Sequence, residues 1–167
     1  MTNTPISPAN LDSLELLAPD PSEFQAVTRT DAQSRELAIA IAQAADDRKG
    51  ANIALLNVAD VSYIADYFVI VTGFSSVQVR AIARSIQDTV ETDWQQRPFR
   101  VEGQGEGTWV LIDYGDVIAH IFMPNEREFY SLEAFWGHAE QMDFSLSKSL
   151  SKARQRNPGL SQSSEIR

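Results

Sequence analysis

Two carboxylates, an imidazole and an indole sit close together in the stretch Trp109-Val-Leu-Ile-Asp-Tyr-Gly-Asp-Val-Ile-Ala-His-Ile-Phe-Met123. Asp113 and Asp116 are near enough in sequence to share a hard cation. His120 could serve as a base or a metal ligand. Neither chemistry finds the rest of its machinery. His120 and His138 are the only histidines and there is no cysteine, so the donors for a zinc site are lacking. No serine stands near His120 in a nucleophile pattern, and no thiol exists to replace it. The reading is therefore of a chain with no metal, no cofactor and no catalytic centre.

The same stretch reads better as a β-hairpin that presents a surface. Two apolar runs flank Tyr114-Gly115, a pair suited to a two-residue loop, and such loops set strand register. That loop would set Asp113 opposite Asp116, Leu111 opposite Ile118 and Trp109 opposite His120. One face, with Val110, Ile112, Val117, Ala119 and Ile121, is wholly apolar. The other combines Trp109, Leu111, Asp113, Asp116, Ile118 and His120. Like charges directly opposite each other are unfavourable, so this mixed face suits an external basic partner better than a core. Glu128 and Tyr130 are expected to extend it, Tyr130 because it falls off the helical stripe of Phe129, Leu132 and Trp136. Removing both aspartates is expected to leave folding intact or slightly improved.

Two other motifs reduce to structure. Gly103-Gln-Gly-Glu-Gly107 has no lysine, is bordered by Glu102 and contains Glu106, so it reads as a β-connection and not a phosphate cradle. Thr72-Gly73-Phe74-Ser75 looks like the strand–Gly–Ser–helix opening of nucleotidyltransferases. That chemistry needs two carboxylates on a following strand to hold Mg²⁺. The next acids, Asp88, Glu91 and Asp93, do not alternate, so Ser75 reads as a helix cap.

The elements that must position these residues follow from periodicity. Thr30 and Gln33 have capping-box spacing ahead of Leu37, Ala38, Ile41, Ala44 and Ala45, and Lys49-Gly50 supplies a stop. Apolar strands follow at 52–58 and 67–72. Ser75 and Gln78 open a second helix along Val79, Ile82, Ala83, Ile86 and Val90, which Pro98 prevents from continuing. A strand at 99–101, the hairpin, and one helix from Asn125 through Trp136 complete the series. The expectation is an α/β domain, a mixed β-sheet of about five strands flanked by helices, over residues 29–141.

Charge divides the chain in three. Residues 1–28 carry four acids and no base, 29–141 seventeen acids and nine bases, and 142–167 two acids and five bases. These sum to 23 acids and 14 bases, a net charge of -9. An acidic body does not hold nucleic acid through phosphate neutralisation, so DNA binding is not expected and a basic protein is the better partner. The ends read as disordered tails, an acidic one over 1–28 with a weak apolar segment at Leu11–Leu17, and a basic one over 142–167 that could touch RNA incidentally. No apolar run reaches membrane-spanning length and the first base is Arg29, so a cytoplasmic protein without a leader is expected.

Asp66-Tyr-Phe-Val-Ile-Val-Thr-Gly73, Ser75-Ser76, Gln78, Trp109-Val-Leu-Ile-Asp-Tyr-Gly-Asp116, His120-Ile-Phe122 and Arg127-Glu-Phe-Tyr-Ser-Leu-Glu133 together resemble the Iojap-related ribosomal silencing factor family, over about residues 30–137. The resemblance implies a nucleotidyltransferase-like core without the catalytic acids, and a homodimer when free. It implies binding to the fourteenth protein of the large ribosomal subunit, which blocks joining of the small subunit and lowers translation when nutrients are scarce. Two alternatives stay open: a large-subunit assembly factor with no silencing role, and a nucleotidyltransferase-like enzyme with displaced acids.

Overall fold

The computed structural model describes residues 29–145 together with Lys148, Ser149, Lys152 and Ala153. The tail expected over 1–28 and the remainder of the basic tail lie outside the described residues.

Helix α1, Asp31–Asp47, starts where the capping box places it. The Gln33 backbone N–H donates to the Thr30 hydroxyl at 3.3 Å, and the Thr30 N–H donates to Oε1 of Gln33 at 3.0 Å. Each bond satisfies a donor that the first helical turn leaves free. Strands β1, Ala51–Asn57, and β2, Tyr67–Thr72, follow. Helix α2, Ser76–Trp94, buries Val79, Ile82, Ala83, Ile86 and Val90 along one stripe. Its cap is half a box: the Ser75 hydroxyl accepts from the Gln78 N–H at 3.1 Å, while the Gln78 side chain accepts from Phe74. Strands β3, Arg100–Glu102, β4, Trp109–Asp113, and β5, Val117–Phe122, precede two short helices. These are α3, Pro124–Tyr130, and α4, Leu132–Phe135, and strand β6, Glu140–Met142, follows them.

The strands form one mixed sheet in the order β3-β4-β5-β2-β1-β6. Only β2 and β5 run parallel. Helices α1 and α2 cover one face, and a core of Leu37, Ile41, Leu55, Val69, Ile82 and Ile112 lies between them and the sheet. The other face carries a second, smaller core around Leu56, Phe68, Ile70, Ile118 and Phe122, with Leu132 and Trp136 packed on it. Strand β2 is buried along its whole length because both layers use it.

Four expectations are corrected. The sheet has six strands and not about five, since Glu140–Met142 pairs with β1. Three residues with two polar side chains carry no strand period, so pairing with a partner made the strand. The helix expected from Asn125 through Trp136 is two helices. Pro124 occupies the first turn of α3, and Ser131, with φ of 44°, turns the chain left-handed between the two. Phe129, placed in the core by the single-helix reading, is 80% exposed. The break at 141/142 is not structural, because Met142 and Phe144 pack against the first core and Nζ of Lys148 lies 2.6 Å from Asp46.

The fourth correction is the hairpin loop. It is Gly115-Asp116, with the Tyr114 N–H donating to the Val117 carbonyl at 2.9 Å. The observed register sets Trp109 opposite Phe122, Leu111 opposite His120 and Asp113 opposite Ile118. Tyr114 is fully buried in the first core, and Gly115, with φ of 89°, supplies the positive φ that the first loop residue needs. The pairing thus differs from the expected one by two positions. A difference of two preserves both faces, whereas a difference of one would have exchanged them.

Asp116 changes role as a result. Its carboxylate turns to the start of α1 and accepts hydrogen bonds from the Arg29 guanidinium and the Ser34 hydroxyl. Its backbone carbonyl accepts from Asp66 and Tyr67, tying the loop to the start of β2. The side chains of Arg29 and Asp116 are only 6% and 14% exposed, and Ser34 is fully buried. Breaking such a pair leaves an uncompensated charge inside. Asp116→Ala should lower unfolding stability by about 3 kcal/mol, and Asp113→Ala by about 1 kcal/mol or less. Urea unfolding midpoints read this, and equal midpoints for the two variants would contradict it.

Candidate functional site

The face opposite α1 and α2 holds the residues singled out in the sequence except Asp116. β4 supplies Trp109, Leu111 and Asp113, and β5 supplies Ile118, His120 and Phe122, because alternate residues of a strand share a face. α3 brings Tyr130 onto it: the Trp109 and Tyr130 rings lie 4.5 Å apart between centroids. Trp109 also stacks on Phe122 at 4.9 Å. The position of Tyr130 depends on the left-handed Ser131, which ends α3 immediately after it.

His120 is the keystone of this aromatic group and not a surface residue. It is 6% exposed. Phe68 meets it edge-on at 5.4 Å and Phe122 stacks on it at 6.0 Å. The Trp109 Nε1–H donates to its Nδ1 at 3.3 Å, which leaves the ring proton on Nε2. Burial penalises the charged imidazolium and lowers the pKa of His120 to about 4. The imidazole is therefore neutral near pH 7 and its bond to Trp109 is intact, which orients the indole at the rim of the sheet.

The eight residues expected to meet a partner separate into three groups. Trp109, Leu111 and Asp113 are half-buried, and Glu128 and Tyr130 are exposed, so these five reach the surface. Ile118 and His120 are buried beneath them. Asp116 is not on this face, because its carboxylate is engaged at the start of α1. The two aspartates therefore do not form an acid pair. Asp113 accepts from the Gly115 N–H at 2.7 Å and lies 3.8 Å from Nη2 of Arg100. Among the described residues, no group of three or more His, Asp or Glu side chains is placed to hold a metal ion.

Some participants were not found from sequence. Phe129 and Phe135 are 80% and 75% exposed, Phe129 beside Tyr130 and Phe135 beside Trp136. Arg127 spans the end of the sheet, donating to the Thr72 hydroxyl at 2.8 Å and pairing with Glu133. This clamp holds α3 and α4 against β2, beside an open cavity of about 380 Å³ lined also by Phe74 and Pro124. The Pro124 and Ser131 punctuation could have signalled a broken helix, and with it the exposure of Phe129. Nothing local signals the Arg127–Thr72 bond, which joins residues 55 apart.

Similar proteins set this geometry in a family. A sequence profile described as ribosomal silencing factor during starvation matches residues 31–165. The chain is 43% identical over 102 residues to the ribosomal silencing factor of Bacillus subtilis, which spans 61% of this chain and 86% of that protein. It is similar to the crystal structure of a Chromobacterium violaceum protein, with a TM-score of 0.59 at 33% identity over 65% of this chain and 88% of the other. A Bacillus halodurans structure matches with a TM-score of 0.56 at 34% identity over 68% and 99%.

The buried imidazole makes stability depend on pH. The folded-state pKa of His120, about 4, lies below the 6.5 of a free imidazole. Its contribution is fully present above about pH 6.5. It is lost as pH falls toward 4, where the loss reaches roughly 3 kcal/mol. Thermal unfolding of the parent should weaken over this window more steeply than that of His120→Gln. Parallel curves for the two proteins would show that His120 is not held neutral.

Proposed function

With the silencing-factor profile matched over most of its length, the chain belongs to the ribosomal silencing factor family, and on that premise we propose that it acts by occupying the large ribosomal subunit where the small subunit must dock. Members of this family are named as silencing factors and not as enzymes, and this chain is not an enzyme. No described helix is long and apolar enough to cross a membrane. In the proposed reading the partner on the large subunit is its fourteenth protein, and the free silencing factor is a homodimer acting in the cytoplasm.

One observation carries the choice of contact surface. Trp109 and Tyr130, tilted at 44° with ring centroids 4.5 Å apart, stand partly exposed over Phe122 and His120, with Phe129 against Tyr130, Glu128 on the same helix and Asp113 at the far end of β4. Aromatic anchors held in place by a packed layer are the usual centre of a protein interface. Carboxylates at the rim steer a basic partner and set orientation more than they add affinity. Trp109, Leu111, Asp113, Glu128 and Tyr130 are the proposed contact residues, with Ile118 and His120 as the support beneath them. Asp116 has no part in the contact. The same face is the candidate for self-association, so ribosome binding and homodimerisation would compete for it.

Silencing then needs no chemistry. A protein of 18.6 kDa seated at a subunit interface excludes the second subunit by volume, and joining and binding are coupled as competitors. Purified protein should sediment with large subunits and not with small ones, and should lower the yield of joined ribosomes. A large excess of small subunits should reverse the effect. Tyr130→Ala, the more exposed of the two anchors, should weaken binding by about 2 kcal/mol, roughly thirty-fold, without loss of folding. Normal joining while large subunits are saturated would overturn silencing in favour of an assembly role.

A further inference from the structure

The acidic body carries a group of unpaired cations at the corner where the end of α1 meets the start of α2. α1 and α2 run antiparallel, with Ser85 bonded to the carbonyl of Ala44 and the Gln78 side chain bonded to the carbonyls of Arg48 and Lys49. The end of α1 therefore lies beside the start of α2. Arg48 and Lys49 are exposed there. Arg84 is exposed on α2, and Arg80 is half-exposed with its guanidinium on the carbonyl of Gly105 and the Ser76 hydroxyl. Among the described residues none of these four cations pairs with a carboxylate. No acid lies between Asp66 and Asp88 in the sequence. Of the neighbouring acids, Asp46 is held by Lys148 and Glu133 by Arg127, while Asp47, Asp88, Glu106 and Glu128 are exposed at the margin. Between the cations stand two apolar side chains without cover, Phe74 at 63% and Val77 at 71% exposure. Val77 and Arg84, seven residues apart, lie on one side of α2.

The complement of this corner is in the same chain. Residues 11–17, Leu-Asp-Ser-Leu-Glu-Leu-Leu, alternate apolar side chains with Asp12 and Glu15, inside a stretch that has four acids and no base. We propose that segment 11–17 docks on this corner, its leucines on Phe74 and Val77 and its carboxylates toward Arg48, Lys49, Arg80 and Arg84. The chain can reach. Arg29 is fixed at the start of α1 by Asp116, and the 17 residues of α1 put the corner about 25 Å away. Residues 18–28 number eleven and can span about 36 Å. A tether of that length holds the segment at a high local concentration, so weak individual contacts suffice. Phe74 borders the cavity that Glu128 also lines, so the docked segment would sit at one edge of the proposed contact face, but the proposal does not rest on ribosome binding.

The absence of cysteine makes the test direct. A nitroxide attached at Ser13→Cys in the full chain should erase most amide NMR intensity at Phe74, Val77, Arg80, Arg84 and Lys49, and leave β3 and the Gly115 loop unaffected. The loss should recede in 1 M salt, where the Debye length shrinks to about 3 Å. It should also recede in Asp12→Asn with Glu15→Gln, and in Arg48→Gln with Arg84→Gln, whose side chains are exposed and outside the ion pairs. Uniform or absent broadening would overturn the proposal. So would broadening confined to residues 148–167, which would assign the segment to the basic end of the chain. Broadening that appears only when spin-labelled unlabelled-isotope protein is mixed with isotope-labelled protein would assign it to a second copy, and would equally overturn docking within one chain.

Discussion

The structure turns on the Gly115-Asp116 loop. A positive φ is cheap at Gly115 and nowhere else nearby, so the chain reverses there. That choice sends Tyr114 into the helix-side core and fixes which side chains of β4 and β5 share a face. It also frees Asp116 from the sheet, so that its carboxylate reaches Arg29 and Ser34 while its carbonyl receives the start of β2. One two-residue loop thus connects the hairpin, the first helix and the central strand. The aromatic face on the far side inherits its geometry from this connection.

Much of the fold was legible because its signals are local. Thr30 with Gln33 and Ser75 with Gln78 mark helix starts through bonds that span three residues. The apolar stripe of α2 and the unbroken apolar run of β2 report burial directly. What escaped was decided by contacts distant in sequence. β6 exists because β1 offers it an edge, and its own residues carry no strand signal. The hairpin register was misplaced because Tyr114-Gly115 and Gly115-Asp116 are both acceptable loops locally. The buried position of Tyr114 selected between them.

The two faces of the hairpin were legible in membership, and the depth of their side chains was not. Parity along a strand tells which residues share a face, and that survived the change of register. Parity says nothing about what lies on top. Leu132 and Trp136 pack on the layer that contains Ile118, Phe68 and Phe122 enclose His120, and Trp109 and Tyr130 stay at the margin. In one dimension His120 suits a partly buried strand residue bonded to a neighbour as well as a surface contact. In three it is a neutral hydrogen-bond acceptor that holds an indole still. Asp116 shows the same error in depth, since a charge beside a turn reads as solvent-facing and is here committed to the interior.

The two outermost strands, β3 and β6, are each three residues long. An exposed strand edge is a template on which another chain can add itself, and templating weakens as the edge shortens. Charged side chains at Arg100, Glu102 and Glu140 punctuate both margins. The sheet therefore terminates its own growth, and strand-by-strand polymerisation has little to build on. Under the proposed contact surface, recognition would be confined to side chains, and the backbone withheld.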